Sequence, residues 1–96
     1  MLELRPCCET CGIDLPPAST EARICSFECT FCATCQENVL NNVCPNCGGG
    51  LHARPVRPKA MLERHPSSSE RVLKSLDLDK HAALLARYRD IPPEQR

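Results

Sequence analysis

The sequence predicts a small metal-stabilised α+β module, built around two zinc sites, with a C-terminal helical tail. Two observations support this fold class. Nine of the 96 residues are cysteine, and eight of the nine form four pairs between residues 8 and 47. The first fifty residues contain two phenylalanines but no tryptophan or tyrosine. A segment so poor in large apolar side chains buries too little surface to fold alone, and metals or disulfides usually supply the difference.

The eight paired cysteines have the spacing of metal ligands. The pairs are Cys8 with Cys11, Cys25 with Cys29, Cys32 with Cys35, and Cys44 with Cys47. Eight thiolates complete two tetrahedral sulfur sites, which is the coordination that structural zinc prefers. Because a closed site leaves no position for a substrate, we predict a non-enzymatic protein in which two Zn²⁺ ions build the fold and no residue is catalytic.

Disulfides are the alternative use of these cysteines. The first residues contain no basic segment followed by an apolar stretch, as a signal peptide would, and no apolar run approaches membrane-spanning length. In a cytosolic chain, C-x-x-C pairs favour metal binding over a disulfide scaffold. We therefore expect a cytoplasmic location and no membrane partner.

Glycine follows the first and the last cysteine pair. The segments Cys8–Gly12 and Cys44–Gly48 both read C-x-x-C-G. When such a knuckle wraps an ion, the residue after the second cysteine often needs a positive φ, which glycine adopts at little cost. The same spacing selects Cys8 over Cys7 as the ligand, so Cys7 is expected to be a partly exposed spare thiol.

The segment after the middle cysteines predicts a short helix. It covers Gln36–Asn42, ends at Asn41 and Asn42, and places Cys35 beside the positive end of the helix dipole. Large apolar side chains are scarce, so those of this region are expected in the core. They are Phe27, Phe31, Val39 and Leu40.

The order of the pairs resembles the cross-brace pattern of RING-type zinc domains: C-x-x-C, then C-x3-C-x-x-C-x-x-C, then C-P-x-C. The aromatic Phe31 directly before Cys32 also matches those domains. The resemblance implies interleaved sites that tie distant segments together. It assigns one zinc to Cys8, Cys11, Cys32 and Cys35, and the other to Cys25, Cys29, Cys44 and Cys47.

The residues leave two other metal arrangements open. In the first, the two C-x-x-C-G knuckles share one ion as in a zinc ribbon, and the second ion is bound locally by Cys25, Cys29, Cys32 and Cys35. The run from Cys29 to Cys35 with the later Cys44-Pro45 also has a superficial likeness to a ferredoxin cluster motif. In that motif three residues precede the last cysteine, whereas eight do here, so an iron–sulfur cluster is disfavoured.

A narrower resemblance covers roughly residues 1–58. The strings Leu4-Arg5-Pro6, Leu15-Pro16-Pro17, Arg23–Cys32 and Val43–Gly49 are similar to a family of short bacterial cysteine-rich proteins with no assigned function. The chain departs from that family at Cys7 and at Thr10, and neither position belongs to the eight proposed ligands.

Ubiquitin ligation, which the RING resemblance suggests, finds little support in the residues. Such ligases usually carry an aliphatic residue before the second ligand, a tryptophan near the helix and a basic residue after the last ligand. This chain has Thr10, no tryptophan and Gly48 at those places, and only Pro45 fits. A RING-type ligase-like adaptor or a thiol-redox role for Cys7 therefore stays an alternative only.

The composition divides the chain after the glycines at 48–50. The zinc-binding module (1–50) has two basic and six acidic residues, a net charge of −4, whereas residues 51–96 have ten basic and six acidic, a net charge of +4. Residues 51–66 predict a stiff, basic, proline-rich strand or linker. Arg54, Arg57 and Lys59 are its candidate contacts with an acidic partner.

The remaining residues, 67–96, predict a helical tail. Ser67–Glu70 matches a capping box at the start of one helix, and Asp79 is a candidate cap for a second helix over Lys80–Arg89. Isolated helices of this length are marginal, so the tail is expected to pack on the zinc module or on a partner. The three histidines are expected to be exposed: His52, His65 and His81.

Three classes of function follow. A zinc-stabilised module that binds another protein is favoured. A nucleic-acid binder would use the basic 52–71 segment, but an acidic front and a pI near 6.8 weaken that alternative. A ligase-like or redox enzyme is the third.

Overall fold

A three-stranded antiparallel sheet organises the first half of the chain. In the computed structural model, which describes residues 1–96, the strand β1 (Ala22–Ile24) lies between β2 (Thr30–Cys32) and β3 (His52–Ala53). Arg23 of β1 pairs with Phe31 of β2 on one side and with Ala53 of β3 on the other. The sheet thus connects the middle cysteines with the chain that follows the last cysteine pair.

A short helix follows β2 directly. The helix α1 (Ala33–Cys35) continues as a π-helical segment over Gln36–Leu40. The Cys32 thiol caps the start by accepting a hydrogen bond from the Cys35 N–H, so the helix begins earlier than predicted. Asn41 and Asn42 both have positive φ, which confirms the predicted end of the helix.

The small core lies around the cysteines and contains only part of the apolar set that we predicted. Phe31 and Leu40 are fully buried, as expected. Phe27 is 72% exposed and Val39 is 39% exposed, so their predicted core positions are wrong. Phe27 sits in the tight turn between β1 and β2, where its N–H faces the Cys25 sulfur and its side chain extends into solvent.

The two arginines after β3 lie against the module. The Arg54 guanidinium is buried and donates hydrogen bonds to the carbonyls of Arg5, Leu15 and Pro16. Arg57 donates to the carbonyls of Leu2, His65 and Pro66. Of the three candidate contacts for an acidic partner, only Lys59, in a 3-10 turn over Lys59–Met61, is exposed.

Residues 68–76, hereafter the strap, lie alongside the N-terminal segment. The Ser68 N–H donates to the Glu3 carbonyl, the Cys7 thiol donates to the Val72 carbonyl, and the Lys74 N–H donates to the Glu9 carbonyl. Each of these pairs is 65 residues apart in sequence, so the two segments run parallel and in register. The strap is therefore extended against the module.

This pairing overturns two predictions. No helix forms after the capping-box sequence at Ser67. Backbone groups of the strap form hydrogen bonds with the N-terminal segment instead, and the Ser68 hydroxyl accepts a hydrogen bond from the Glu70 N–H in a local turn. Cys7 is not a partly exposed thiol: it is 1% exposed and contacts the strap.

The helix α2 (Leu78–Tyr88) packs on the second knuckle. Its cap is Asp77, whose carboxylate accepts from the Lys80 N–H at 3.0 Å, rather than the predicted Asp79. His81 is buried, against our expectation, because its imidazole Nε2 lies 3.0 Å from the Val43 carbonyl oxygen. A 3-10 turn over Pro93–Gln95 ends the chain. None of the helices has both the length and the apolar character needed to cross a bilayer.

Candidate metal centres

Four thiols meet at one edge of the sheet. The sulfurs of Cys8, Cys11, Cys32 and Cys35 all lie within 4.8 Å of one another, and the Cys11 and Cys32 sulfurs are 3.7 Å apart. The first two belong to the N-terminal knuckle, and the other two belong to the end of β2 and the start of the helix that follows. We call this group the first centre.

A second group forms on the other side of the core. The sulfurs of Cys25, Cys44 and Cys47 lie within 4.8 Å of one another. Cys29, which the cross-brace pattern assigns to the same site, lies outside this tight group, although its thiol interacts with that of Cys25. We call the four the second centre, with Cys29 as its loosest member.

The two groups are interleaved along the chain. The first centre joins the first and third cysteine pairs, and the second joins residues of the second and fourth pairs. The ribbon alternative requires Cys8 and Cys44 to share an ion, but the structure puts their sulfurs in different groups. Each centre closes a long loop, so an ion at either place restricts the unfolded chain strongly.

The two C-x-x-C-G knuckles share one backbone geometry. The Gly12 N–H donates to the Cys8 carbonyl at 3.0 Å, and the Gly48 N–H donates to the Cys44 carbonyl at 2.8 Å. Both glycines have the predicted positive φ, +77° for Gly12 and +78° for Gly48. The sequence pattern therefore identified both turns correctly.

Backbone N–H groups point at the sulfurs of both centres. The N–H groups of Cys35, Phe27 and Gly49 each lie 3.4 Å from a cysteine sulfur, respectively those of Cys32, Cys25 and Cys47. Hydrogen bonds of this kind stabilise a thiolate relative to a thiol. The local backbone is thus arranged to support anionic sulfur.

The thiols do not all ionise readily without a cation. Burial raises the pKa of Cys35, and the neighbouring Cys32 thiol raises it further. Burial also raises the pKa of Cys44, although nearby backbone N–H groups partly offset this. The pKa of Cys8 is lowered because backbone N–H donors outweigh the effect of its burial. A divalent ion among the sulfurs removes the repulsion between thiolates and favours their ionised form.

Glu9 links the two knuckles, although it was not among the site residues predicted from the sequence. Its buried carboxylate accepts hydrogen bonds from the Thr30 N–H at 2.8 Å, from the Arg5 guanidinium at 3.0 Å and from the Asn46 amide at 3.3 Å. Glu9 lies inside the first knuckle and Asn46 lies inside the second. One sequence feature could have indicated this role: Glu9 lies between the ligands Cys8 and Cys11, and the basic residue Arg5 precedes it by four positions.

Comparison with known proteins agrees with the cysteine-rich pattern. The model of the family described as protein of unknown function (DUF1272) matches residues 1–57. An uncharacterised protein from Rhizobium meliloti (strain 1021) is 62% identical over 74 residues, which cover 77% of this chain and 88% of the relative. No solved structure matches the chain significantly. The match over residues 1–57 and the 62% identity to this relative establish that the chain belongs to the DUF1272 family.

Proposed function

We propose that the protein is a non-enzymatic, cytoplasmic module that binds two zinc ions and presents a surface to another protein. The observation that carries the metal part of the proposal is the pair of sulfur groups, one with four thiols and one with three close thiols and a fourth nearby. Sulfur-only tetrahedral sets suit zinc, and a cytoplasmic location keeps thiols reduced.

A structural role for the ions is supported by what surrounds them. All-cysteine coordination leaves no open position, whereas catalytic zinc sites keep one for water or substrate. In each knuckle the hydrogen bonds serve the turn and the sulfurs, and Glu9 is occupied by three donors. We therefore assign the ions to folding and not to a reaction.

A protein partner is favoured by the exposed apolar side chains. Phe27 lies at the tip of the turn that carries two ligands of the second centre, and it is 72% exposed. A nucleic-acid interface receives less support, because Arg54 and Arg57, the first two basic residues of the 52–71 segment, already bond to backbone carbonyls. Phosphate binding needs a concentrated and accessible basic face.

Native mass spectrometry tests the metal assignment. Protein expressed with zinc should carry two zinc ions per chain, and Cys32→Ser should lower that number. Cys7→Ser is the matched control: serine donates to the same carbonyl, so both ions should remain. One ion in the wild-type protein, or iron with visible absorbance, would contradict the proposal.

Affinity capture tests the partner class. We expect zinc-loaded protein to recover a partner that survives nuclease treatment, with Phe27→Ser reducing the recovery and Lys59→Ala leaving it unchanged. Recovery abolished by nuclease would instead support the nucleic-acid alternative.

A further inference from the structure

We propose that the first centre is an exchange site, which gives up and takes back its metal through an open cleft, while the second centre retains its ion. The inference rests on the proposed zinc binding. The observation behind it is that the cysteines of the two centres differ in their exposure to solvent.

A cleft of about 400 Å³ opens onto the sulfurs of the first centre. Cys11, Cys32 and Cys35 line it, together with the side chains of Ile13 and Thr34 at its mouth. Cys11 is itself exposed, whereas the other three cysteines of this centre are buried. A small molecule in the cleft therefore meets the exposed Cys11 first, with the buried Cys32 and Cys35 behind it.

The second centre is covered by the C-terminal part of the chain. A Cβ at Gly48 would lie only 2.8 Å from the Tyr88 ring, so α2 rests directly on this knuckle. The Arg96 guanidinium donates to the carbonyls of Asn42 and Gly48, both at 3.0 Å. A more open depression of about 540 Å³ nearby has Cys25 as its one lining cysteine, and Cys25 is 4% exposed. Cys47 is half-buried, so no cysteine of this centre is as exposed as Cys11.

The chemistry that fits the cleft is ligand replacement by a small thiol. With zinc held by the four cysteines, an incoming thiol would replace the Cys11 sulfur as a ligand, and its proton would pass to the freed Cys11 thiolate. No atom is oxidised or reduced. Zinc would permit such a replacement because it has no geometric preference from its d electrons. Cys11 is the first ligand to leave because it is the exposed one.

The test follows metal loss from the two-zinc protein in the presence of dithiothreitol, with EDTA to capture released zinc. Native mass spectrometry measures the two rates, and trapping of freed thiols with iodoacetamide identifies the centre. We expect the first ion to leave at least about tenfold faster than the second, with Cys11 alkylated first. Simultaneous loss, or earlier alkylation of Cys25 or Cys47, would overturn the inference.

Two variants sharpen the result. Thr34→Tyr narrows the cleft mouth at an exposed position and should slow the first loss. Arg96→Ala removes the cover of the second knuckle and should accelerate only the second loss, while Arg89→Ala, an exposed residue near the same helix end, should change neither rate. Fewer than two ions at the start would contradict the proposed function itself, whereas two ions lost in the wrong order would contradict only the exchange site.

Discussion

Replacement of Arg54 tests whether this residue holds the fold together or faces a partner. Its guanidinium donates to the carbonyls of Arg5, Leu15 and Pro16, and the bond to Leu15 is buried. These bonds connect β3 with the chain on both sides of the first knuckle. Arg54→Met keeps much of the side-chain volume and removes every donor. The Arg5 and Leu15 carbonyls then lose their partner, whereas the Pro16 carbonyl keeps its hydrogen bond from the Ser19 N–H.

The expected loss of stability follows from those three bonds. An unsatisfied buried polar group costs about 1–3 kcal/mol, and this applies fully to the Leu15 carbonyl. The Arg5 carbonyl is only partly buried and regains water, and the Pro16 carbonyl keeps its bond from the Ser19 N–H, so each costs less. Burial lowers the pKa of Arg54, which shows that desolvation of its charge opposes part of the gain. We expect a net loss of about 2–4 kcal/mol, equivalent to a Tm lower by about 10–25 °C for a domain of this size.

Thermal unfolding followed by circular dichroism, with zinc in fixed excess, measures this loss. The fixed excess matters because a bound metal stabilises the folded state by mass action. Lys59→Ala is the matched control: its side chain is exposed and its Tm should stay within about 2 °C of the wild-type value. An unchanged Tm for Arg54→Met together with reduced partner recovery would refute a structural role for Arg54 and would indicate that Arg54 contacts the partner.

Three further outcomes are expected. Leu76 of the strap packs against the core but is partly exposed, so Leu76→Ala should lower the free energy of unfolding by about 2 kcal/mol, near the low end for a leucine contact. Leu73→Ala should lower it less because the Leu73 side chain is largely exposed. Equal losses for the two variants in urea unfolding would argue against packing of the strap on the core. Gly48→Ala should lower the Tm more than Gly12→Ala does. Both glycines have a positive φ, but only a Cβ at Gly48 would meet the Tyr88 ring. A larger loss for Gly12→Ala in the same melting assay would contradict the packing of α2 on the second knuckle. Removal of metal by EDTA should abolish cooperative unfolding, and a metal-free protein with an unchanged circular dichroism spectrum would exclude folding by metal.

The sequence by itself determined the local features of this protein. The spacing of the cysteine pairs and the glycines after them predicted the two knuckles and the positive φ of Gly12 and Gly48. Asn41 and Asn42 predicted the end of the first helix because asparagine tolerates the left-handed conformation. These features depend on residues a few positions apart, so their physical cause is visible in a short stretch of sequence.

Only the tertiary structure decided how distant segments meet. Three polar side chains are buried because each contacts a backbone carbonyl far away in sequence. The separation is 65 residues for Cys7, 38 to 49 for Arg54 and 38 for His81. No local sequence pattern encodes such partners. The serine run at 67–69 shows how distant contacts override a local signal. Its sequence matches a helix cap, but the backbone of the strap forms hydrogen bonds with the N-terminal segment instead. An exposed helix of one or two turns gains little by itself, whereas an extended segment laid on the module satisfies its backbone and buries Leu76 at the same time.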